Sequence, residues 1–202
     1  MSLKVCLAGA TGWAGSELAR SIADKNDLEI TAAVSRTHAG RRLGDVLGDT
    51  RLTCPVFASA ADALGEPCDV FVEYTKPESA RQNVLAALQR GAHVVIGTSG
   101  LGESDFDEIH ALAVRQQRGV LACGNFALTV VLLQRLAEIA AKYISQWEII
   151  DYAHDDKVDA PSGTARELAY RLSEVRKPDL TVPLDEISGV RASRGATISG
   201  SQ

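Results

Sequence analysis

A strand followed by three spaced glycines at the start of the chain most constrains what this sequence can fold into. Apolar residues 5–8 lead into Gly9-x-x-Gly12-x-x-Gly15, and a helical pattern follows over residues 16–23. Glycines at this spacing permit a tight turn close to a pyrophosphate, and the helix N-terminus offers its N–H groups to the phosphates. At the first strand–helix junction of a repeated β/α pattern, the trio predicts a dinucleotide-binding turn. The alternative is a glycine-rich turn without a ligand.

The β/α pattern repeats as far as residue 125. Its short apolar runs do not alternate with polar residues, which is typical of strands covered by helices on both faces. The order strand, helix, strand predicts a parallel, doubly wound sheet of the Rossmann type. The predicted strands are residues 5–8, 29–34, 70–73, 94–96 and 120–122, with further helices over 79–89 and 105–117.

The rhythm changes after residue 125. A predicted helix over 128–143 is followed by a predicted strand over 147–152, a polar loop and a second helix that begins near Ser162 or Gly163. Short strands are expected over 184–200, where the last one stops as if midway. We therefore predict an α/β chain with a dinucleotide-binding domain over 1–125 and a smaller α+β domain over 126–202, the latter incomplete.

The end of the second predicted strand indicates which dinucleotide is bound. An NAD-specific site usually carries Asp or Glu there for the ribose 2′-hydroxyl. This chain has Ser35-Arg36, followed by Arg41 and Arg42. Because a guanidinium makes paired, charge-assisted hydrogen bonds, this pair predicts that NADPH is accepted and preferred over NADH. The alternative is that Arg36 is a solvated loop charge.

Composition excludes several function classes. The chain has 26 acidic and 21 basic residues and a formal charge of −5, without a Lys/Arg run, so we expect no nucleic-acid partner. No stretch approaches the roughly 20 apolar residues of a membrane helix, so we expect no membrane partner and a cytoplasmic location. The four cysteines form no CxxC pair, and no metal site is expected.

A second segment carries side chains that can take part in a reaction. It runs from the predicted strand at 147–152 onto the following helix. It brings His154 and Lys157 into a loop that ends in Ser162-Gly163-Thr164. Hydroxyls and N–H groups at a positive helix end suit a carboxylate. Lys157 adds a cation, and His154 can exchange a proton near neutral pH. Together they predict a site that holds a small acid and protonates it.

The run Lys157-Val158-Asp159-Ala160-Pro161-Ser162-Gly163-Thr164-Ala165 strongly resembles the signature of the 4-hydroxy-tetrahydrodipicolinate reductase (dihydrodipicolinate reductase) family of lysine and diaminopimelate biosynthesis. Four further segments fit in order, so that the resemblance covers nearly the whole chain. They are the glycine turn, Tyr74-Thr75-Lys76-Pro77-Glu78, Gly97-Thr98-Ser99-Gly100 and Cys123-Gly124-Asn125-Phe126.

The resemblance implies an NAD(P)H-dependent reductase in which hydride passes to a small, cyclic, imine-conjugated dicarboxylate and a proton completes the reduction. It implies a homotetramer built through the second domain. Lys157 would be the proton donor, and His154 would contact the substrate or share the acid/base work, with Ser162, Gly163 and Thr164 holding a substrate carboxylate. The expected cofactor-binding residues are Gly9, Ala10, Thr11, Gly12, Trp13, Ala14, Gly15, Ser35, Arg36, Tyr74, Thr75, Gly97, Thr98, Cys123, Asn125 and Phe126.

The chain departs from the family pattern at several positions. The family usually carries two adjacent histidines, but the first position here is Ala153, and Asp155 and Asp156 follow His154. Residues 73–75 read Glu-Tyr-Thr where Asp-Phe-Thr is usual, and Gly124 precedes Asn125 where Pro is usual. The loss of one acid/base group typically costs a factor of about 10²–10⁴, so catalysis is expected to be weakened rather than abolished.

Two other interpretations stay open at this point. The glycine turn also resembles the opening of the acyl-phosphate and semialdehyde dehydrogenases, in which Cys123 would be the nucleophile. Alternatively, Ala153 and the two aspartates mark a catalytically weakened NADP-binding homologue with a sensing role.

Overall fold

The structure, a computed structural model, describes residues 2–152, 160–179, 182, 183, 186 and 188 of the 202-residue chain. The chain divides into two compact units, Met1–Cys123 and Gly124–Gln202. The sequence predicts the boundary after residue 125, two residues further along.

The first unit is a six-stranded parallel sheet in the order β3-β2-β1-β4-β5-β6. This confirms the predicted doubly wound architecture. Its elements are β1 (Leu3–Ala8), α1 (Trp13–Ala23), β2 (Leu28–Val34), α2 (Leu43–Leu47), β3 (Val56–Phe57), α3 (Ala60–Ala63), β4 (Val70–Glu73), α4 (Pro77–Gln89), β5 (His93–Ile96), α5 (Glu103–Gln116) and β6 (Val120–Ala122).

Alternate side chains of the central strand enter two separate cores. Cys6 and Ala8 of β1 lie in a buried cluster with Phe71 and with apolar side chains of α4 and α5. Val5 and Leu7 of the same strand lie in a second cluster with residues of α1 and α2. Because both faces of the sheet are covered, its strands read as uninterrupted apolar runs.

Helix boundaries follow from local backbone chemistry. α4 begins at Pro77, whose fixed φ suits a first helical turn and whose missing N–H is not needed there. Gly91 follows the end of α4 with φ +82°, a conformation that costs glycine little. The sequence pattern missed α2, β3 and α3, because elements of two to five residues show no measurable periodicity.

The second unit contains α6 (Leu128–Ala141) and α7 (Gly163–Val175). Arg171 of α7 donates to Glu138 of α6 at 3.1 Å and to Glu167 at 2.8 Å. The strand predicted over 147–152 is wrong: these residues form no backbone ladder with the described part of the chain, and a strand needs a ladder partner. The short strands predicted over 184–200 fall on residues of which only 186 and 188 are described. None of the helices within the described ranges is long and apolar enough to cross a membrane.

Candidate functional site

The glycine turn between β1 and α1 is closed by its own backbone. The Gly9 N–H donates to the Val34 carbonyl at 3.0 Å, and the Gly12 N–H donates to the Gly9 carbonyl at 2.9 Å. Gly9 has φ +79°, and a Cβ there would lie 2.2 Å from the Tyr74 carbonyl oxygen. At Gly15 a Cβ would lie 2.1 Å from the Gly9 carbonyl oxygen. Because ordinary contact begins at 3.4 Å, both positions require glycine.

The first-turn N–H groups of α1 are not occupied by a capping side chain or an acidic residue of the helix itself, so they can bind an anion. Gly12 caps the helix without a side-chain hydrogen bond, and the first turn holds no acidic residue. The N–H groups of a first turn have no carbonyl partner within their helix, and the helix dipole makes this end positive. Trp13 and Ala14 lie exposed at this end. Ala10, by contrast, is fully buried in the core, so only its backbone can face a ligand.

A cleft of about 380 Å³ opens beside the turn, at the carboxyl ends of β1, β2 and β4. In the strand order, β2 lies on one side of β1 and β4 on the other, so this is a topological switch point, where doubly wound sheets bind ligands. Arg36 and Lys76 are exposed on its lining and supply positive charge. The lining consists of Gly9, Val34, Ser35, Arg36, Thr37, Ala58, Ser59, Ala60, Thr75, Lys76, Ser79 and Asn83.

The wall after β2 is a hydroxyl network. Ser35 is buried, and its Oγ lies 2.7 Å from Oγ1 of Thr11 and 3.4 Å from Oγ1 of Thr37. Nδ1 of His38 lies 2.9 Å from the same Thr37 oxygen. The network fixes the backbone on either side of Arg36 while its guanidinium stays in solvent. The structure thus brings Thr11, Ser35 and Arg36 together at one end of the cleft.

The turns after β4 and β5 are joined by a buried carboxylate. Glu73 has no exposed surface. Its Oε1 accepts from the Thr75 N–H at 2.6 Å and from the Thr75 hydroxyl, and its Oε2 accepts from Nδ2 of Asn83 at 2.9 Å. The Thr98 hydroxyl lies 3.3 Å from Glu73 Oε1.

The Tyr74 ring fills the space beside the β5 turn. A Cβ on Gly97 would lie 2.1 Å from Tyr74 Cζ, so the ring packs directly on the Gly97 backbone. Burial raises the pKa of the Tyr74 hydroxyl, and the nearby Cys123 thiol adds to this in the same direction. The Cys123 N–H lies 3.4 Å from the Ile96 carbonyl, which holds it at the end of β6. Tyr74, Gly97 and Cys123 therefore form a second group of predicted site residues within the first unit.

In the second unit, the start of α7 carries the predicted carboxylate cradle. Ser162 is its N-cap and accepts from the Ala165 N–H at 3.2 Å. Both Ser162 donors are directed at Asp151: the N–H to Oδ2 at 2.7 Å and the hydroxyl to Oδ1 at 3.2 Å. The cradle therefore holds a carboxylate of the chain itself. Asn125 Nδ2 lies 3.5 Å from the Thr164 hydroxyl, so these two predicted residues also meet.

Two predicted site residues, His154 and Lys157, lie outside the described residues. Phe126 is half-exposed at the start of the second unit. The sequence pattern missed Asn83 and Ser79 on the cleft lining and Glu73 buried behind it. A signal existed only for Glu73, an acidic residue that ends an otherwise apolar strand and must find donors if it is buried.

Comparison with known proteins agrees with this geometry. The family description "Dihydrodipicolinate reductase, N-terminus" matches residues 3–126, and "Dihydrodipicolinate reductase, C-terminus" matches residues 129–202. The chain is 36% identical over 200 residues to a 4-hydroxy-tetrahydrodipicolinate reductase from Desulfitobacterium hafniense, covering 98% of this chain and 75% of that protein. A reductase of the same name from Bacillus pumilus is 34% identical, with 98% and 74% covered.

A solved structure, the dipicolinate-bound dihydrodipicolinate reductase from Paenisporosarcina sp. TG-14, superposes with a TM-score of 0.74 at 29% identity. It aligns with 100% of this chain and 77% of its own. Neither the semialdehyde dehydrogenase interpretation nor the sensing homologue is favoured by these matches. With both halves of the family description matched along almost its full length, the chain belongs to the dihydrodipicolinate reductase family.

Proposed function

We propose that this chain reduces 4-hydroxy-tetrahydrodipicolinate with NAD(P)H in lysine and diaminopimelate biosynthesis. The observation that carries the proposal is the glycine turn at the switch point of the sheet, in a chain matched over both halves by the reductase family. The dipicolinate-bound neighbour supports a small cyclic dicarboxylate as the ligand class.

The residues present fit a dinucleotide. Gly9 and Gly15 let the turn pack tightly against the Tyr74 backbone and on itself, and the start of α1, which has no side-chain cap, directs N–H groups towards a phosphate. Arg36 and Lys76 add positive charge at the cleft. Bound NAD(P)H would supply a hydride for the reduction. The chain's own part is to hold the phosphates, to bind the ring beside the 97–98 turn, and to limit access of water.

The acid-binding end would be formed by α7. The amides of Gly163 and Thr164 belong to its first turn and lack carbonyl partners within the helix. A substrate carboxylate would compete with Asp151 for the two donors of Ser162. Lys157 Nζ is proposed to give the proton, with His154 in contact with the substrate.

The preference for NADPH is proposed from the wall after β2. No carboxylate of residues 35–38 stands there to bond a ribose 2′-hydroxyl, and the exposed Arg36 guanidinium suits a 2′-phosphate. NADH is proposed to be accepted more weakly.

A homotetramer in the cytoplasm completes the proposal. α6 supports self-association because Leu132, Leu133, Leu136 and Ile139 are each more than half exposed in the single chain. Contiguous apolar surface of this kind marks an interface, and a second copy of the chain is the proposed occupant. Light scattering after size exclusion should give four times the 21.5 kDa chain mass, and a monomer at micromolar concentration would contradict it.

The activity is tested by NADPH oxidation with the freshly generated product of dihydrodipicolinate synthase. We expect oxidation that depends on this substrate and on the protein. Dinucleotide binding is measured separately by titration, since binding without turnover would point to the sensing homologue and would overturn the reductase proposal.

A further inference from the structure

Glu73 is buried at the centre of the sheet with an unusual number of hydrogen-bond donors directed at it. It ends β4, where Ala8 of β1 and Ile96 of β5 are its register partners. Its carboxylate receives the Thr75 N–H and hydroxyl, the Asn83 amide and the Thr98 hydroxyl. A carboxylate only accepts, so each of these neutral donors is satisfied by it.

These donors come from three separate segments of the first unit, two of them on the cleft lining. Thr75 and Asn83 lie on the cleft lining, on the β4 turn and on α4. Thr98 lies on the turn after β5, and its hydroxyl also reaches the Thr75 carbonyl at 3.3 Å. The Glu73 carbonyl adds to the connection, since it accepts from the Gly97 N–H at 2.9 Å and the Thr98 N–H at 3.2 Å.

The burial of Glu73 explains why its oxygens must be met by donors. A buried carboxyl group is destabilising unless its oxygens are hydrogen-bonded. The bonds from Thr75 and Asn83 run from the cleft lining to the carboxyl group behind it, and the bond from Thr98 runs from the β5 turn, so that together they set the spacing of the β4 turn, α4 and the β5 turn.

We propose that Glu73 is the positioning residue of the dinucleotide cleft, holding Thr75, Asn83 and Thr98 in their places without lining the cleft itself. The inference rests on the proposed function, because it takes the occupant of the cleft to be NAD(P)H. It assigns to one carboxylate the spacing between the phosphate end and the 97–98 turn.

Three substitutions in the full chain test the proposal through the NADPH Kd. Glu73→Gln keeps an acceptor for Thr75 and Thr98, and the Asn83 amide can rotate to accept from the new NH₂, so we expect a Kd within about 3-fold of wild type. Glu73→Leu removes every acceptor and should raise the Kd about 10- to 100-fold, as loss of outer support for a ligand site does. Glu73→Asp, one methylene shorter, should fall between them.

A control separates positioning from general destabilisation. Ile109 on α5 is 2% exposed within one core of the sheet, and Ile109→Ala should lower Tm through a cavity without changing the NADPH Kd. If Glu73→Leu does not fold, the order of Glu73→Asp and Glu73→Gln decides. A Kd unchanged in Glu73→Asp, or raised equally by Ile109→Ala, would overturn the proposal.

Coupling to Thr98 gives the most specific test. Thr98→Val should weaken NADPH binding in the wild type but add less than about 2-fold in the Glu73→Leu or Glu73→Asp background, because the same contact is already lost. Full additivity would contradict the inference. A wild-type chain that binds neither NADPH nor NADH would instead refute the proposed function, and the two failures are therefore distinguishable.

Discussion

Replacing Gly15 by alanine should disturb the phosphate-binding turn and leave the rest of the fold intact. Gly15 lies within α1, where alanine is favoured over glycine by about 1 kcal/mol at an ordinary position. Here the new Cβ would lie 2.1 Å from the carbonyl oxygen of Gly9 and 2.8 Å from its carbonyl carbon. Ordinary contact begins at 3.4 Å, so the turn must open by about an ångström.

That displacement sets the expected magnitude. A shift of about 1 Å at groups that position a ligand can cost about 100-fold, or about 2.7 kcal/mol of binding free energy. We therefore expect the NADPH Kd of Gly15→Ala to rise about 100-fold, measured by titration of NADPH fluorescence. Differential scanning fluorimetry on the same samples reports whether the protein is folded.

Gly44 offers a matched control. It also lies in a helix, α2, and a Cβ there would lie 2.5 Å from the Asp49 carbonyl oxygen, outside the cleft lining. Gly44→Ala should lower Tm while leaving the NADPH Kd unchanged. A folded Gly15→Ala protein whose Kd stays within about 3-fold of wild type would refute the reasoning that the turn holds the phosphates.

Four further outcomes are expected. Arg36→Ala should raise the KM for NADPH about 10-fold or more and leave the KM for NADH unchanged. As a control, Arg115→Ala, at the exposed end of α5, should change neither KM. If Arg36→Ala leaves the ratio of the two KM values unaltered, the argument for the 2′-phosphate is removed. Lys157→Ala should lower kcat about 10²- to 10⁴-fold with NADPH binding retained, and equal loss of both would contradict its role. Burial raises the pKa of the Cys54 thiol from 9.0 to about 11. At pH 8, Cys54 should therefore carry about 100-fold less thiolate than an unperturbed cysteine, and mass spectrometry should show that it is alkylated correspondingly slowly. Cys123→Ser, which removes the thiol with little change in volume, should retain turnover, and an absolute need for the thiol would revive the dehydrogenase interpretation.

Much of the first unit could be predicted from sequence because its signals are local. About ten residues of sequence are enough to recognise the apolar runs of β1, β4 and β5 and the glycine turn. The two-residue β3 and the four-residue α3 carry no such signal. Residues 147–152 are rich in aromatic and β-branched side chains, as strands are, but a strand exists only with a ladder partner, which is a tertiary property.

The candidate site divides in the same way. Gly9, Arg36 and Ser162 follow from motifs, whereas the role of Glu73 depends on register. Its donors at Asn83 and Thr98 lie 10 and 25 residues away in sequence, and only the packing of α4 and the β5 turn against β4 brings them to one carboxylate. The capture of Ser162 by Asp151 is likewise a tertiary contact that no pattern in the sequence reveals.

Hydride transfer from the nicotinamide to the cyclic acid can be measured most directly with deuterium. The wild-type chain is incubated with NADPH deuterated at C4 on either face and with the fresh product of dihydrodipicolinate synthase, and the reduced dicarboxylate is analysed by mass spectrometry. We expect that one of the two isotopomers yields a product heavier by a single deuterium. Unlabelled product from both, or no reduced product while NADPH is bound, would contradict it.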